Sequence, residues 1–196
     1  MFERGANPTT ALMSTESEAV WGWRGALWGE EGSVGEVASG VGSVVAVPAP
    51  PDDRRWLALA VQLAGRCPPS TSAFAVGAVL VDAGGTVLAT GHSREADPVA
   101  HAEESALAKV SGAVDLRAAT LYSSLEPCSR RASRALSCTD LILAAGIGRV
   151  VVAWREPPLF VADARGCELL AARGVEVVEL PEFAAGAREP NAHLFR

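Results

Sequence analysis

Residues 149–180 read RVVVAWREPPLFVADARGCELLAARGVEVVEL, and this stretch decides the fold. Two runs rich in valine, Arg149 to Trp154 and Val175 to Leu180, flank a helical pattern over residues 163–173 that stops at Gly174. Strand, helix and strand in that order form a crossover, and a crossover of this kind makes the two strands parallel. Upstream, Leu141 to Ala145 reads as a short helix ended by Gly146, which suits a left-handed cap. Ala119 to Ser124 reads as another strand, and Ala102 to Val110 as another helix. Phe74 to Val81 and Thr86 to Thr90 are strands joined by the turn Asp82-Ala83-Gly84-Gly85. Before them a helix runs through Trp56, Leu57, Ala60, Val61 and Leu63; Asp52 or Asp53 can cap it, and Pro68-Pro69 stops it. Five strands alternating with helices predict a three-layer α/β domain over residues 51–196.

Residues 1–50 differ in character. They are rich in Gly, Ser, Ala, Val and Glu, hold Trp21, Trp23 and Trp28 without a period, and close on Pro48-Ala49-Pro50-Pro51. A poorly ordered extension is expected there. Either Met13 is the true start, or the tryptophans dock on a partner.

The 196 residues carry a net charge of -6, and an acidic surface repels phosphate backbones, which weighs against nucleic acid as partner. The apolar runs are too short and too broken for a membrane span. The opening Met1-Phe2-Glu3-Arg4 has no basic-then-apolar leader pattern, so the expected address is cytoplasmic. In that compartment Cys67, Cys128, Cys138 and Cys167 are expected as thiols or metal ligands, not disulfides.

The chemistry concentrates in two segments. His101-Ala102-Glu103-Glu104 opens one helix, and Glu126-Pro127-Cys128 follows a strand, with Cys138 opening another helix after nine intervening residues. One imidazole and two thiolates make a good zinc site, and three protein ligands leave a fourth position for water, as in catalytic sites. Glu103, two residues after His101, can face that water without ligating the metal and act as its proton shuttle. Cys67 and Cys167 are expected to be small apolar side chains.

A histidine, a glutamate two residues on, and a later Pro-Cys with a second cysteine form the signature of zinc deaminases, which place the second cysteine three residues after the first. Here it comes ten residues after. With that longer loop, the segments Leu125-Glu126-Pro127-Cys128-Ser129 and Cys138-Thr139-Asp140-Leu141-Ile142 resemble the deaminase domain of the bifunctional riboflavin-biosynthesis enzyme, within the cytidine/deoxycytidylate deaminase superfamily. The resemblance covers roughly residues 52–180 and includes Val76-Gly77-Ala78-Val79-Leu80-Val81 and Ala145-Gly146-Ile147. Asp97-Pro98 ahead of His101-Ala102-Glu103 is also similar to tRNA adenosine deaminases.

The resemblance implies a cytidine deaminase-like fold: a five-stranded mixed sheet with helices on both faces. It implies a hydrolytic deaminase of an amino-pyrimidine or related heterocycle, with Zn2+ as cofactor and a homo-oligomer as the assembled form. It also implies that the backbone N–H of Ala102 binds the ring carbonyl. Two features depart from the family. Ser72-Ala73-Phe74 stands where it has Pro-Asn-Pro, and the loop Ser129 to Ser137 has three arginines where it has histidine, glycine, threonine and two prolines. The chain also ends before a reductase domain would begin. These departures bear on the substrate and leave the metal and the proton shuttle untouched. Arg130, Arg131 and Arg134 are costly neighbours unless they meet an anion. They are either a solvated loop or, through Arg130 and Arg131, the grip on a substrate phosphate. A purine or nucleoside deaminase and a zinc-binding interaction module without catalysis stay open as alternatives; retention of Glu103 argues against the second.

Overall fold

The structure is a computed structural model and describes residues 51–112 and 114–196. The expected extension over residues 1–50, with its three tryptophans, lies outside the described residues.

The elements follow in the order α1 (Pro51–Ala64), β1 (Gly77–Val81), β2 (Val87–His92), α2 (Ala102–Leu107), β3 (Thr120–Ser123), α3 (Cys138–Ala144), β4 (Arg149–Val152), α4 (Gly166–Ala172) and β5 (Glu176–Glu179). Two 3-10 segments, Pro181–Phe183 and Glu189–Phe195, flank a last short helix, α5 (Ala184–Arg188). The five strands form one mixed sheet in the order β2-β1-β3-β4-β5. β1 runs antiparallel to β2 and β3, whereas β3, β4 and β5 are parallel. The crossover between β4 and β5 thus makes the predicted parallel pair.

Helices cover both faces. Gly77 and Gly91 sit on adjacent cross-strand pairs, Gly77 opposite His92 and Gly91 opposite Ala78, so they face opposite sides of the sheet. A Cβ on Gly77 would overlap Ala60 and Leu63 of α1; one on Gly91 would overlap Ala102 and Ala106 of α2. Each glycine lets one helix lie directly on the strand. Between these layers the core is built from fully buried Leu57, Leu80, Leu121, Ile142, Val150 and Leu170.

Most elements are shorter than the sequence pattern suggests, β2 and α3 are longer, and one reading is corrected. Asp52 and Asp53 do not cap α1, because the helix already starts at Pro51. Asp53 instead points into the protein, 2% exposed. It accepts the Tyr122 hydroxyl at 2.8 Å and both terminal nitrogens of Arg149 at 2.8 Å. The helix ends at Ala64, in a turn closed by Gly65 and Arg66, before Pro68 is reached. Gly146 and Gly174 adopt the expected left-handed backbone, at φ 72° and 84°. No helix among the described residues is long and apolar enough to cross a membrane.

The C-terminal segment after Leu180 carries no clear period, yet it is tied down. Asn191, 1% exposed, accepts the Ala75 N–H at 2.7 Å and returns a bond to the Ala75 carbonyl at 2.9 Å. This holds the approach to β1 as a neighbouring strand would.

Candidate metal centre and active site

His101 is the N-cap of α2, in extended conformation at φ -90°, ψ 161°. Its own backbone N–H bonds to Glu104 Oε2 at 3.3 Å, which fixes the entry into the helix. Cys138 is the first residue of α3. Ser137 before it accepts the Asp140 N–H at 3.1 Å, and Asp140 Oδ2 accepts the Ser137 N–H at 2.9 Å. That reciprocal cap satisfies donors the helix start leaves open. Cys128 lies in the loop after β3. Its carbonyl accepts from Thr139 N at 3.2 Å and Thr139 Oγ1 at 3.0 Å, so the loop is fastened to α3 at the residue after the second cysteine.

These local devices bring three donors together. His101 Nδ1 lies 3.5 Å from Cys128 Sγ and 3.4 Å from Cys138 Sγ. All three ligating atoms fall within 4.8 Å of one another, the only such group of metal-ligating side chains among the described residues. A tetrahedral ion with Zn–N of roughly 2.0–2.1 Å and Zn–S of roughly 2.3 Å separates its nitrogen and sulfur ligands by about 3.5 Å. The donor set and its spacing therefore fit a zinc ion. By themselves the two thiols share a proton: the Cys138 hydrogen bond pushes Cys128 down toward the thiolate, and the same contact pushes Cys138 up. Cys67 and Cys167 stand apart as free thiols, Cys167 in the core and Cys67 half-buried against the Val76 carbonyl.

Glu103 is 3% exposed, and its Oε1 accepts the Ser123 hydroxyl at 2.9 Å. Burial pushes its carboxyl above the usual range. A cavity of about 380 Å³ opens beside it, with His101, Glu103, Cys128, Arg130, Arg131 and Glu156 in its wall. Ala102 is fully buried and outside that wall; it holds the first helical position, where the N–H has no partner within the helix.

The three arginines of the inter-cysteine loop part company. Arg134 bonds Asp97 and, at 3.1 Å, Glu104 Oε1, so the anions it meets belong to its own chain. Arg131, with a side chain 3% exposed, gives Nη2 to Glu104 Oε2 at 2.7 Å, while its Nε and Nη1 are buried without a partner among the described residues. Arg130 is exposed at the cavity rim. Glu104 points away from the metal cluster, yet it is no idle surface acid. Against the cost of burial, Arg131 and Arg134 hold its carboxyl below the usual range.

The roles of two acids escaped the reading of the sequence. Glu126, 4% exposed, accepts the backbone N–H of Cys167 at 2.9 Å and of Glu156 at 3.1 Å, and Arg155 Nη1 at 3.3 Å. It pins the loop after β4 and the start of α4 against the residues leading into Cys128. Glu156 itself faces the cavity. Burial, and after it the negative field of Cys128 and Glu126, pushes its carboxyl up to about 7. The available signal was its place just past the carboxyl end of a parallel strand, where ligand sites of α/β sheets gather.

A zinc-type donor set on two helix starts, a buried carboxylate beside it and a mixed five-stranded sheet define a class. The chain belongs to the cytidine and deoxycytidylate deaminase family, whose zinc-binding region matches residues 50–154. It is similar to a diaminohydroxyphosphoribosylamino-pyrimidine deaminase of Schizosaccharomyces pombe, 41% identical over 137 residues, 68% of this chain and 33% of that protein. It is also similar to the riboflavin biosynthesis protein RibD of Aquifex aeolicus, 37% identical over 148 residues, 73% of this chain and 38% of RibD. The chain thus spans about a third of the length of these relatives. Among solved structures it superposes on a diaminohydroxyphosphoribosylaminopyrimidine deaminase/5-amino-6-(5-phosphoribosylamino)uracil reductase of Thermotoga maritima. That match has a TM-score of 0.62 and 30% identity, over 74% of this chain and 40% of the other. The fold recurs in a dCMP deaminase of cyanophage S-TIM5, at a TM-score of 0.51 and 22% identity, over 67% of this chain and 99% of that one.

Proposed function

We propose that this chain is a zinc-dependent hydrolytic deaminase of an aminopyrimidine that carries a phosphorylated sugar arm. The observation that carries the reading is Glu103: a buried carboxylate in the wall of a cavity, beside a His-Cys-Cys cluster of zinc spacing. The names of the relatives support the pyrimidine.

His101, Cys128 and Cys138 hold the metal. Bound there, zinc supplies the Lewis acidity that brings the pKa of water to roughly 7. Glu103 carries one proton of the attacking water to a ring nitrogen and then the second, from the new hydroxyl, to the departing amine, so that water and C–NH2 become C=O and ammonia. Ser123 holds one oxygen of Glu103 and keeps the carboxylate in place for both transfers. The Ala102 N–H, at the open end of α2, receives the ring carbonyl. Arg131 offers Nε and Nη1 to the substrate phosphate, joined from the rim by Arg130; a guanidinium with two free N–H groups suits a phosphate fork. Thiol ligands suit a reducing, cytoplasmic setting. Val99 and Phe160, each 42% exposed at the cavity, support self-association of the chain. Residues 1–50 are an extension to a deaminase domain that starts near Pro51.

Ammonia release by the zinc-loaded chain tests the proposal, across diaminohydroxy-phosphoribosylaminopyrimidine, dCMP, cytidine, cytosine, adenosine and guanine. The phosphoribosyl pyrimidine is expected to lead. Arg131→Ala is expected to cost about ten- to a hundredfold in kcat/KM on it and little on its dephosphorylated form. Glu104→Ala, which frees Arg131 without removing it, separates loss of the phosphate grip from loss of the loop. Preference for a purine or an uncharged nucleoside, or no ammonia from any of them, would sink the reading.

A further inference from the structure

One wall of the cavity over the metal cluster is the stretch ahead of β1, where Ser70, Ser72, Ala73, Phe74 and Val76 all face it. The sheet does not hold this stretch. The β1–β2 pairing continues only as far as Val76, whose N–H bonds Ser93 Oγ at 3.1 Å and whose carbonyl accepts the Ser93 N–H at 2.9 Å. One residue earlier stands Ala75, which is buried, and a buried backbone N–H and C=O need partners. Asn191 supplies both, at 2.7 Å and 2.9 Å, and gives its remaining N–H to the Ala187 carbonyl at 3.1 Å. We infer that Asn191 is a positioning residue of the active site: through its two-point grip on Ala75 it holds Phe74 and Val76 in the cavity wall, so that the C-terminal segment sets how tightly substrate is bound. The inference rests on the proposed deaminase reading and adds a determinant of affinity remote from the reacting atoms.

Neighbouring residues of the segment act on the same wall. His193 Nε2 lies 2.6 Å from the Ser70 carbonyl. The Phe195 ring stacks at 6.4 Å on Phe74, which meets Phe160 edge-on at 4.9 Å, and Phe160 also lines the cavity. Arg94 adds two bonds, from Nη1 to the Phe74 carbonyl and from Nε to the Pro68 carbonyl, each at 3.0 Å. The wall is therefore held by side chains, one of them 116 positions away in the sequence.

Asn191 is itself outside the cavity wall, and its bonds go to Ala75 and Ala187, not to a metal ligand or to Glu103. Cutting its grip frees Phe74 and Val76 to shift while the metal cluster stays in place. Substrate and transition state meet the same wall, so the loss falls on both alike. Such a loss raises KM and leaves kcat as it was. A merely structural role has the opposite signature: fewer folded molecules lower the apparent kcat and leave KM alone.

The test uses the zinc-loaded full chain. Ammonia release from diaminohydroxy-phosphoribosylaminopyrimidine gives kcat and KM, and calorimetry with 2-amino-4-hydroxypyrimidine gives a Kd without turnover. Asn191→Ala is expected to raise KM and Kd about tenfold, with zinc content and kcat little changed. Phe195→Ala removes a half-exposed ring and spares the fold; it is expected to raise both about threefold. This variant decides the matter alone if Asn191→Ala does not fold. Arg54→Ala cuts the exposed Arg54–Glu182 pair between α1 and the same segment, and is expected to change neither constant. Unmoved KM and Kd in Asn191→Ala and Phe195→Ala, or a fall in apparent kcat at constant KM, overturns the inference. A wild-type chain that binds the probe and releases no ammonia, with a Kd that rises in the variants, sinks the deaminase reading and leaves the positioning role standing. Ammonia release with KM and Kd unmoved does the reverse, and a wild type that neither binds nor releases sinks both.

Discussion

Tyr122 and Ser123 are neighbours on β3 and point to opposite faces of the sheet, where each donates its hydroxyl to a buried carboxylate. On one face Tyr122 meets Asp53, which also takes two bonds from Arg149. Against the cost of burial, these bonds hold the Asp53 carboxyl below its ordinary value. On the other face Ser123 meets Glu103, which has no guanidinium, and burial pushes its carboxyl up. Both side chains are shielded from solvent and hang from the same strand, but Glu103 lies deeper and lacks the counter-charge that Asp53 has. A carboxylate given its own arginine is locked as an anion and fastens α1 to the sheet. One left with a hydroxyl and a metal cluster for company can exchange a proton, which a deaminase needs.

The comparison breaks most severely if the cluster is removed. Cys128→Ser and Cys138→Ser are expected to lose about one zinc per chain, all deaminase activity and much of the stability, because the metal ties two helix starts together. Metal analysis and thermal melts read both effects. Glu103→Gln is expected to keep its zinc and its melting temperature while losing on the order of 100-fold or more in kcat. Its counterpart on the other face, Asp53→Ala, is expected to do the opposite. It should cost about 1.5–3 kcal/mol of stability by removing charged hydrogen bonds, Arg149 keeping Glu176 at 3.2 Å, with kcat of the folded fraction unchanged. A stable Asp53→Ala or an unstable, active Glu103→Gln would collapse the distinction.

A smaller effect separates the faces by pH. The folded pKa of Asp53 lies below its ordinary 3.8, so the unfolded chain binds more protons in that range. The Asp53–Arg149 contribution is then fully present above about pH 4 and is lost as pH falls through the folded value. Acid melts of wild type and Asp53→Asn should converge below that window. The smallest effect is expected from removing residues 1–50. A chain beginning at Pro51 should match the full chain in zinc content, melting temperature and kcat/KM; a loss of activity would give the tryptophan-bearing stretch a part in the site.

Asp53 also marks where reading the sequence goes astray. An aspartate at the head of an apolar period looks like a cap, and only a partner 96 residues away makes it a buried anchor. The loop arginines mislead in the same way. Arg131 and Arg134 do meet anions, as their crowding demands, but those anions are Glu104 and Asp97 of the same chain, and Arg130 stays exposed. Glu126 stands in the Glu-Pro-Cys segment without a role of its own, and Glu156 looks like an ordinary surface acid, until the parallel strands bring their loops together. The segment after Leu180 is short, mixed in composition and held by Asn191, so no period announces it.

By itself the sequence determined what is local and periodic. The alternation of strand and helix, the glycine stops at Gly146 and Gly174, the parallel β4–β5 pair and the His-x-Glu and Pro-Cys segments each follow from spacing within a short stretch. Tertiary structure decided which charges are neutralised. Pairing of buried ions depends on distances of a few ångströms between residues tens of positions apart, and no periodicity encodes those. That is why the sequence could point to Glu103, but only the folded chain could show that Glu103 and Glu156 lack the arginine that Asp53 has.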